Sequence, residues 1–151
     1  MQKLLSYTRR AVDDYNMINE NDHITVGISG GKDSLALLYA LANLKKFYPK
    51  KFSLSAVTLS LGYKEMDFSP VKKLCDELEI EYIIKETDIA EILFDIRKEK
   101  NPCSLCAKMR RGALHDAALE LGSHKVALGH HQDDALETFM LSLVYEGRIN
   151  C

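Results

Sequence analysis

Apolar and polar positions along this chain switch repeatedly between two periodicities. Residues 24–28, Ile-Thr-Val-Gly-Ile, form a short β-branched run of the kind that makes a strand buried in a parallel sheet. The segment after it, from Leu35 through Leu44 to Tyr48, places apolar residues at 37, 38, 41, 44 and 48, which is helical spacing. Upstream, residues 3–17 predict an amphipathic helix through Leu4, Leu5, Ala11, Val12 and Tyr15. Downstream, 52–60 predicts a second strand, and 67–79 a helix buried through Val71, Leu74, Cys75 and Leu78. A short third strand at 82–85 precedes a helix at 88–97, and a further helix covers 107–121. A fourth strand at 125–129 leads into a last helix over 133–146, with Leu136, Phe139, Met140, Leu143 and Val144 on one face.

Strands that alternate with helices, joined by crossovers longer than ten residues, predict an α/β fold: a doubly wound, open parallel sheet with helices on both faces. No repeat or low-complexity stretch interrupts the pattern. The chain of 151 residues suits one domain able to bury about 70% of its unfolded surface. The sequence stops just past the last predicted helix, where a further edge strand is expected, so the reading is of a shortened protein.

The turn between the first strand and its helix reads Ser29-Gly30-Gly31-Lys32-Asp33-Ser34. A strand, a glycine turn and a helix start aim backbone N–H groups and the positive helix end at one point, which is an anion site suited to phosphate. Two glycines allow close backbone approach, the two serines add hydroxyl donors and Lys32 adds charge. A Walker A loop is excluded, since Val26 stands where its first glycine is required and Asp33 where Ser or Thr follows the lysine. The dinucleotide pattern G-x-G-x-x-G fails as well, because the glycines are 27, 30 and 31. The hexapeptide resembles the PP-loop of the ATP pyrophosphatase superfamily, S-G-G-x-D-S. That resemblance implies enzymes that split ATP between the α- and β-phosphates, hold pyrophosphate in this loop and adenylate a substrate.

Two cysteines, Cys103 and Cys106, open the helix that continues Ala-Lys-Met-Arg-Arg-Gly112. Thiols three apart at a helix N-terminus face one ligand, and the helix dipole favours thiolate. Half of a zinc site, two ligands of an iron–sulfur cluster, and a redox or sulfur-carrying dithiol all use this spacing. Cys75 falls on the apolar face of its helix and is expected in the core, while Cys151 ends the sequence and carries no reading alone. A third segment, Gly129-His130-His131-Gln132-Asp133-Asp134 with Glu137 and Thr138 a turn later, lies at the carboxyl end of the fourth strand. Ligands of open α/β sheets bind at that end, near the switch in strand order, so the segment is expected to face the loop of residues 29–34. Gly129, His130 and Asp133 are then ATP-binding candidates, and Asp133 and Asp134 suit the magnesium that accompanies ATP, although Asp at these positions also suits helix capping. His115-Asp116 lies mid-helix, a poor place for the metal pair of an HD phosphohydrolase.

Charge changes the picture only locally. The formal net charge is −2, which argues against a global basic field for nucleic acid. Yet Arg97, Lys98, Lys100, Lys108, Arg110 and Arg111 crowd fifteen residues that hold one acid, Glu99. Lys108, Arg110 and Arg111 are candidate RNA contacts, though a solvated helix face explains them equally well. The longest apolar run, residues 35–42, is too short to span a bilayer, and Arg9-Arg10 precedes no apolar stretch of the signal-peptide type. The expectation is a cytoplasmic protein without a membrane partner, in which paired cysteines serve metal or chemistry rather than a disulfide.

Taken in order, Asp14-Tyr-Asn-Met-Ile, Ile24 through Ser34, Cys103 through Gly112, and Gly129 through Thr138 resemble the tRNA 2-thiocytidine synthetase (TtcA) family over nearly the whole chain. The resemblance implies ATP-dependent adenylation of the 2-position of an anticodon-loop cytidine at tRNA position 32, followed by displacement of AMP by sulfur. Lys32, Asp33, Cys103 and Cys106 take the catalytic roles in that scheme. It also implies Mg2+, a [4Fe-4S] cluster held by three cysteines of which Cys103 and Cys106 are two, a cysteine desulfurase as sulfur donor, and often a homodimer. On this reading residues 1–151 are a PP-loop ATP-binding domain with an N-terminal helix and an inserted C-x-x-C segment. The third cluster cysteine and much of the tRNA surface belong to the family's C-terminal portion, beyond this sequence. Uridine thiolases, amide- or lysidine-forming ligases of the same superfamily, and a nucleotide-binding fragment without activity are the alternatives.

Overall fold

The computed structural model describes residues 2–62, 67–92, 102–130 and 132–141; at 102–104, 132, 135, 138, 139 and 141 it describes the backbone course alone. Among these residues, four strands form one parallel sheet in the order β3-β2-β1-β4. They are β1 (Asp22–Gly27), β2 (Phe52–Ser60), β3 (Glu81–Glu86) and β4 (Lys125–Leu128). The helices are α1 (Gln2–Asp14), α2 (Lys32–Lys45), α3 (Ser69–Glu77), the single turn α4 (Ile89–Glu91), α5 (Pro102–Glu120) and α6 (Gln132–Leu141). The chain winds outward from β1 through β2 to β3, then returns across the sheet to place β4 on the other side of β1. The expected doubly wound arrangement is therefore present, and its switch lies between β1 and β4.

Strand register sorts the side chains onto two unlike faces. Ile24, Val26 and Ile28 of the β1 segment and Phe52, Leu54 and Ala56 of β2 join Leu38, Leu41 and Leu44 of α2, Val12 of α1, and Val71 and Cys75 of α3 in one apolar core. Cys75 is fully buried there, as expected, and burial pushes its thiol up to about 11. The opposite face is covered by α5, through Leu114 and Ala117 against Val57, with Leu59, Ile83, Leu121 and Val126 around them. This face also carries polar groups. Thr25 and Ser55 are completely buried and hydrogen-bond each other at 2.9 Å, and His23 Nε2 lies 3.1 Å from the same Ser55 hydroxyl. Unpaired, such hydroxyls would each cost about 1–3 kcal/mol.

The expectations for α1 and α6 meet a correction in packing. In α1 only Val12 is buried, whereas Leu4 and Tyr15 are exposed at 39% and 75%. The periodic stripe is wider than the contact it makes, because α1 packs on α2 rather than on the sheet. In α6, Leu136 and Met140 are likewise exposed. The rest of that expected helix, residues 93–97 of the one at 88–97, and Cys151 lie outside the described residues.

Beneath the N-terminal end of the sheet, a tether joins the last strand to the first. Asp22 Oδ2 accepts the backbone N–H of Asn19 at 2.6 Å and the ammonium of Lys125 at 2.5 Å. The Lys125 ammonium also donates to Met17 O at 3.0 Å, and Ser123 Oγ donates to His23 O at 2.7 Å. The hydrogen bond from Lys125, then that from Asn19, holds the Asp22 carboxyl below its ordinary value of 3.8. A carboxylate with a lowered folded-state pKa stabilises the fold above its unfolded value and loses that contribution as pH falls through the folded value. Asp22→Asn is therefore expected to cost about 1 kcal/mol at pH 7, the partial exposure of Lys125 limiting the effect. Thermal melts of the two proteins should converge as pH falls below the lowered folded-state value of the carboxyl. A gap that persists unchanged in acid would contradict the ion-pair account.

Candidate functional site: a phosphate loop facing a dithiol helix

The loop of residues 29–34 leaves β1 at the sheet's carboxyl edge, where Ile28 N–H still donates to Val57 O at 2.8 Å. Gly30 turns the chain with φ of +81°, a left-handed conformation that costs a side-chain-bearing residue about 1 kcal/mol. Gly31 then returns to extended backbone, φ −76° and ψ 156°, as the N-cap of α2. Ser34 is buried, and its hydroxyl donates to Gly31 O at 2.9 Å. Ser29 Oγ lies 3.3 Å from that hydroxyl, and the Ser29 N–H donates to it at the same distance. The serines thus fasten the loop to the first helical turn and fix its shape. Gly30, Gly31 and Lys32 are exposed, Asp33 is half-buried in the first turn of α2, and the helix start points at the open side of the loop.

Gly129, just past β4, presses against this loop from the other side of the switch. A Cβ there would stand 2.8 Å from Ser34 N, 2.9 Å from Asp33 C and 3.0 Å from Asp33 O. All three are backbone atoms, which cannot swing aside. Gly27 has a related role in the layer below, where a Cβ would meet Leu128 and Leu114 side chains at 2.7 and 2.9 Å. The sequence pattern marks Gly129 as an ATP-binding candidate; the contact shows that a glycine is required there for packing. The same pattern gives no signal at Gly27, where an added carbon would make the ends of the Leu114 and Leu128 side chains shift.

Between the loop, the ends of β2 and β4, and α5 lies a cavity of about 300 Å³. Ser29, Ser34, Gly129 and His130 line its loop side, and Val57 and Leu59 its floor. Ala107, Arg110, Arg111 and Leu114, spaced at one face of a helix, form the α5 wall. The two arginines therefore face the same space as the PP-loop, alongside apolar surface wide enough for a base. Their spacing was legible in the sequence, but the side of the helix that docks on the sheet was not. Successive residues of an α-helix turn by about 100°, which puts Arg110 within about 20° of the direction of buried Ala117 and Lys108 on the opposite side. Lys108, grouped with the arginines from sequence, is thus separated from Arg110, while Arg111 lies between the two directions, about 60° from Lys108.

Cys106 is half-buried, one helical turn before Arg110. Cys103 occupies the first turn of α5, and its side chain lies outside the described residues, as do His131, Arg97, Lys98 and Lys100. Asp133 and Asp134 stand exposed in the first turn of α6, a short step along the chain from His130 in the cavity wall. Among the described residues no group of three or more His, Cys, Asp or Glu side chains is placed to hold a metal ion, and no helix is long and apolar enough to cross a membrane.

An anion cradle at the switch of a parallel sheet, opening onto a cavity of nucleoside size, defines a nucleotide-binding α/β domain. The chain belongs to the PP-loop domain family, whose model matches residues 4–149. It is 42% identical to the tRNA-cytidine(32) 2-sulfurtransferase of Tolumonas auensis, covering 98% of this chain and 49% of that one. It is 44% identical to the protein of the same name from Alkalilimnicola ehrlichii, covering 99% and 48%. The chain thus spans about half the length of the curated relatives it matches. Among solved structures it resembles the U34-tRNA thiolase NcsA from Methanococcus maripaludis with its [4Fe-4S] cluster, with a TM-score of 0.79, 29% identity, and coverage of 97% of this chain and 52% of that one. It shares a fold with the NH3-dependent NAD synthetase of Campylobacter jejuni, with a TM-score of 0.60, 20% identity, and coverage of 91% and 58%.

Replacing Gly129 by Ala is expected to cost about 1–3 kcal/mol through overpacking and to remove ATP binding, because the added carbon meets unyielding backbone. Gly31→Ala is the control for stability. Its Cβ meets only Ser29 Oγ at 3.5 Å, so its melting temperature should stay near that of the parent, within about 0.5 kcal/mol. Equal melting curves and equal calorimetric ATP titrations for Gly129→Ala and the parent would remove the packing argument.

Proposed function

We propose that this chain is the nucleotide-activating portion of a tRNA-cytidine 2-sulfurtransferase, which converts a cytidine at position 32 of the anticodon loop to 2-thiocytidine. One observation carries the reading. The PP-loop and α5, the helix that opens with Cys103 and Cys106, line one cavity, the loop through Ser29 and Ser34 and the helix from Ala107 onward, one residue past Cys106. The relatives at 42–44% identity support the choice of cytidine over uridine.

The chemistry asked of the site is an exchange of oxygen for sulfur at C2, where oxygen is a poor leaving group. The base oxygen attacks the α-phosphorus of ATP, the bond to the β-phosphate oxygen breaks, and pyrophosphate departs. Sulfur at the sulfide level then adds to C2, and AMP leaves with the original oxygen. Loop amides, Ser29, Ser34 and Lys32 hold the departing pyrophosphate and stabilise the charge that builds on it. Asp33, in the first turn of α2, orients that end of the nucleotide, while Arg110 steadies the phosphates from the α5 side. Gly129 and His130 close the site from β4.

Asp133 and Asp134 suit magnesium, which takes one or two carboxylates together with substrate phosphates and water. Cys103 and Cys106 supply two thiolates from adjacent turns of one helix, a donor set that fits a portion of an iron–sulfur cluster, which when bound would handle the incoming sulfur. Sulfur reaches this cytoplasmic enzyme from a cysteine desulfurase, and the protein works on tRNA as a homodimer.

The decisive measurement is the nucleotide product. Asp33→Ala combined with Ser34→Ala should abolish ATP consumption by the intact protein, and the parent should release AMP and pyrophosphate. Release of ADP would refute the pyrophosphatase chemistry, and ATP binding without any turnover on tRNA and sulfide would indicate an inactive nucleotide-binding module.

The dithiol separates the thiolase from an amide- or lysidine-forming ligase on the same fold. Cys103→Ser with Cys106→Ser is expected to eliminate 2-thiocytidine from cellular tRNA while ATP binding in vitro persists. Thiolated cytidine at parental levels in cells carrying that variant would transfer the assignment to the ligase.

A further inference from the structure

Gly112 stands in the interior of α5, exposed, and a Cβ built on it meets no atom within 4 Å. Neither internal packing nor a left-handed backbone calls for glycine here, although glycine weakens a helix interior relative to alanine. What glycine does provide is a smooth stretch of helix backbone open to close approach from outside. Lys108 lies one turn before it, Arg111 beside it and His115 just under one turn after, all exposed. Helical geometry puts these residues on the outward side, opposite Ala117. Of the acids nearby, Asp116 stands exposed one turn after Gly112 on one flank, and Glu120 on that same flank accepts the Lys85 ammonium at 2.7 Å. On the other flank Arg111 reaches the cavity wall, so the stripe runs into the mouth of the nucleotide site. The chain as a whole carries a formal charge of −2, and attraction for a polyanion must therefore be local.

We propose that the sugar–phosphate backbone of the RNA substrate crosses α5 at Gly112, with phosphates against Lys108, Arg111 and His115 and the target base turned into the cavity beside Arg110. The proposal rests on the tRNA-directed reading above and adds to it the surface that receives the strand. Positive side chains around a side-chain-free stretch of helix suit a phosphodiester chain, whose contacts position the strand without reading its sequence. An unstacked base delivered past Arg111 enters at the Arg110 side of the cavity.

The test measures binding of unmodified tRNA to the intact protein over a range of salt, beside calorimetric ATP binding and melting temperature. Gly112→Ala and Gly112→Gln should melt at or above the parent temperature and bind ATP as it does. They should nevertheless bind tRNA more weakly, Gln more so than Ala. Lys108→Gln should lower the slope of log K against log salt by about 0.7 to 0.9, the loss of one phosphate contact. Parental tRNA affinity in Gly112→Gln, together with an unchanged slope in Lys108→Gln, would overturn the proposal and leave this face to solvent or to a protein. A parent that binds ATP but has no affinity for tRNA would instead defeat the tRNA-directed function itself.

Discussion

At the carboxyl edge of the sheet, the backbone of Gly129 lies against the backbone of Asp33 and Ser34 with no room for a single added carbon. That contact joins the segments that follow β1 and β4, and it fixes where the PP-loop sits relative to the far side of the switch. Had either segment stood off by the width of a methyl group, the loop amides and His130 would no longer border one space. The switch in strand order creates the crevice. The contact sets how wide it opens.

The two faces of the sheet divide the labour of the fold. One is a continuous apolar core shared by α1, α2 and α3. The other is thinner, carries a buried hydroxyl pair at Thr25 and Ser55, and is closed by α5. Because α5 roofs this face with Leu114 and Ala117 and walls the cavity with Arg110 and Arg111, the packing that sets its position also sets the cavity wall. A sub-ångström shift of the roof would move the arginines with it. This is a physical reason to place a dithiol on a long, packed helix rather than on a loop.

Much of the architecture is legible in the sequence because the signals are local. The β-branched run at 24–28, the hexapeptide at 29–34 and the apolar spacing of α2 each state their own structure, and β2 falls at 52–60 as its pattern predicts. The packing partners are less legible. The stripe on α1 promised more burial than one helix-to-helix contact delivers, leaving Tyr15 in solvent. The basic cluster read as one patch, yet a helix turns by about 100° per residue, so Lys108 and Arg110 face nearly opposite ways. Gly27 looked like an ordinary strand residue, since only the third dimension brings Leu114 and Leu128 over it. Sequence spacing specifies which residues share a helix face; it does not say which face turns inward.

The buried thiol of Cys75 has a consequence for its reactivity. With its pKa pushed up to about 11, only about one molecule in ten thousand carries the thiolate at neutral pH. Thiolate is the form that attacks disulfides and persulfides, and α3 and the sheet deny access as well. The core sulfur is thereby kept out of exchange with any sulfur delivered near α5. Burial alone makes that distinction: the dry core holds Cys75 as the neutral thiol.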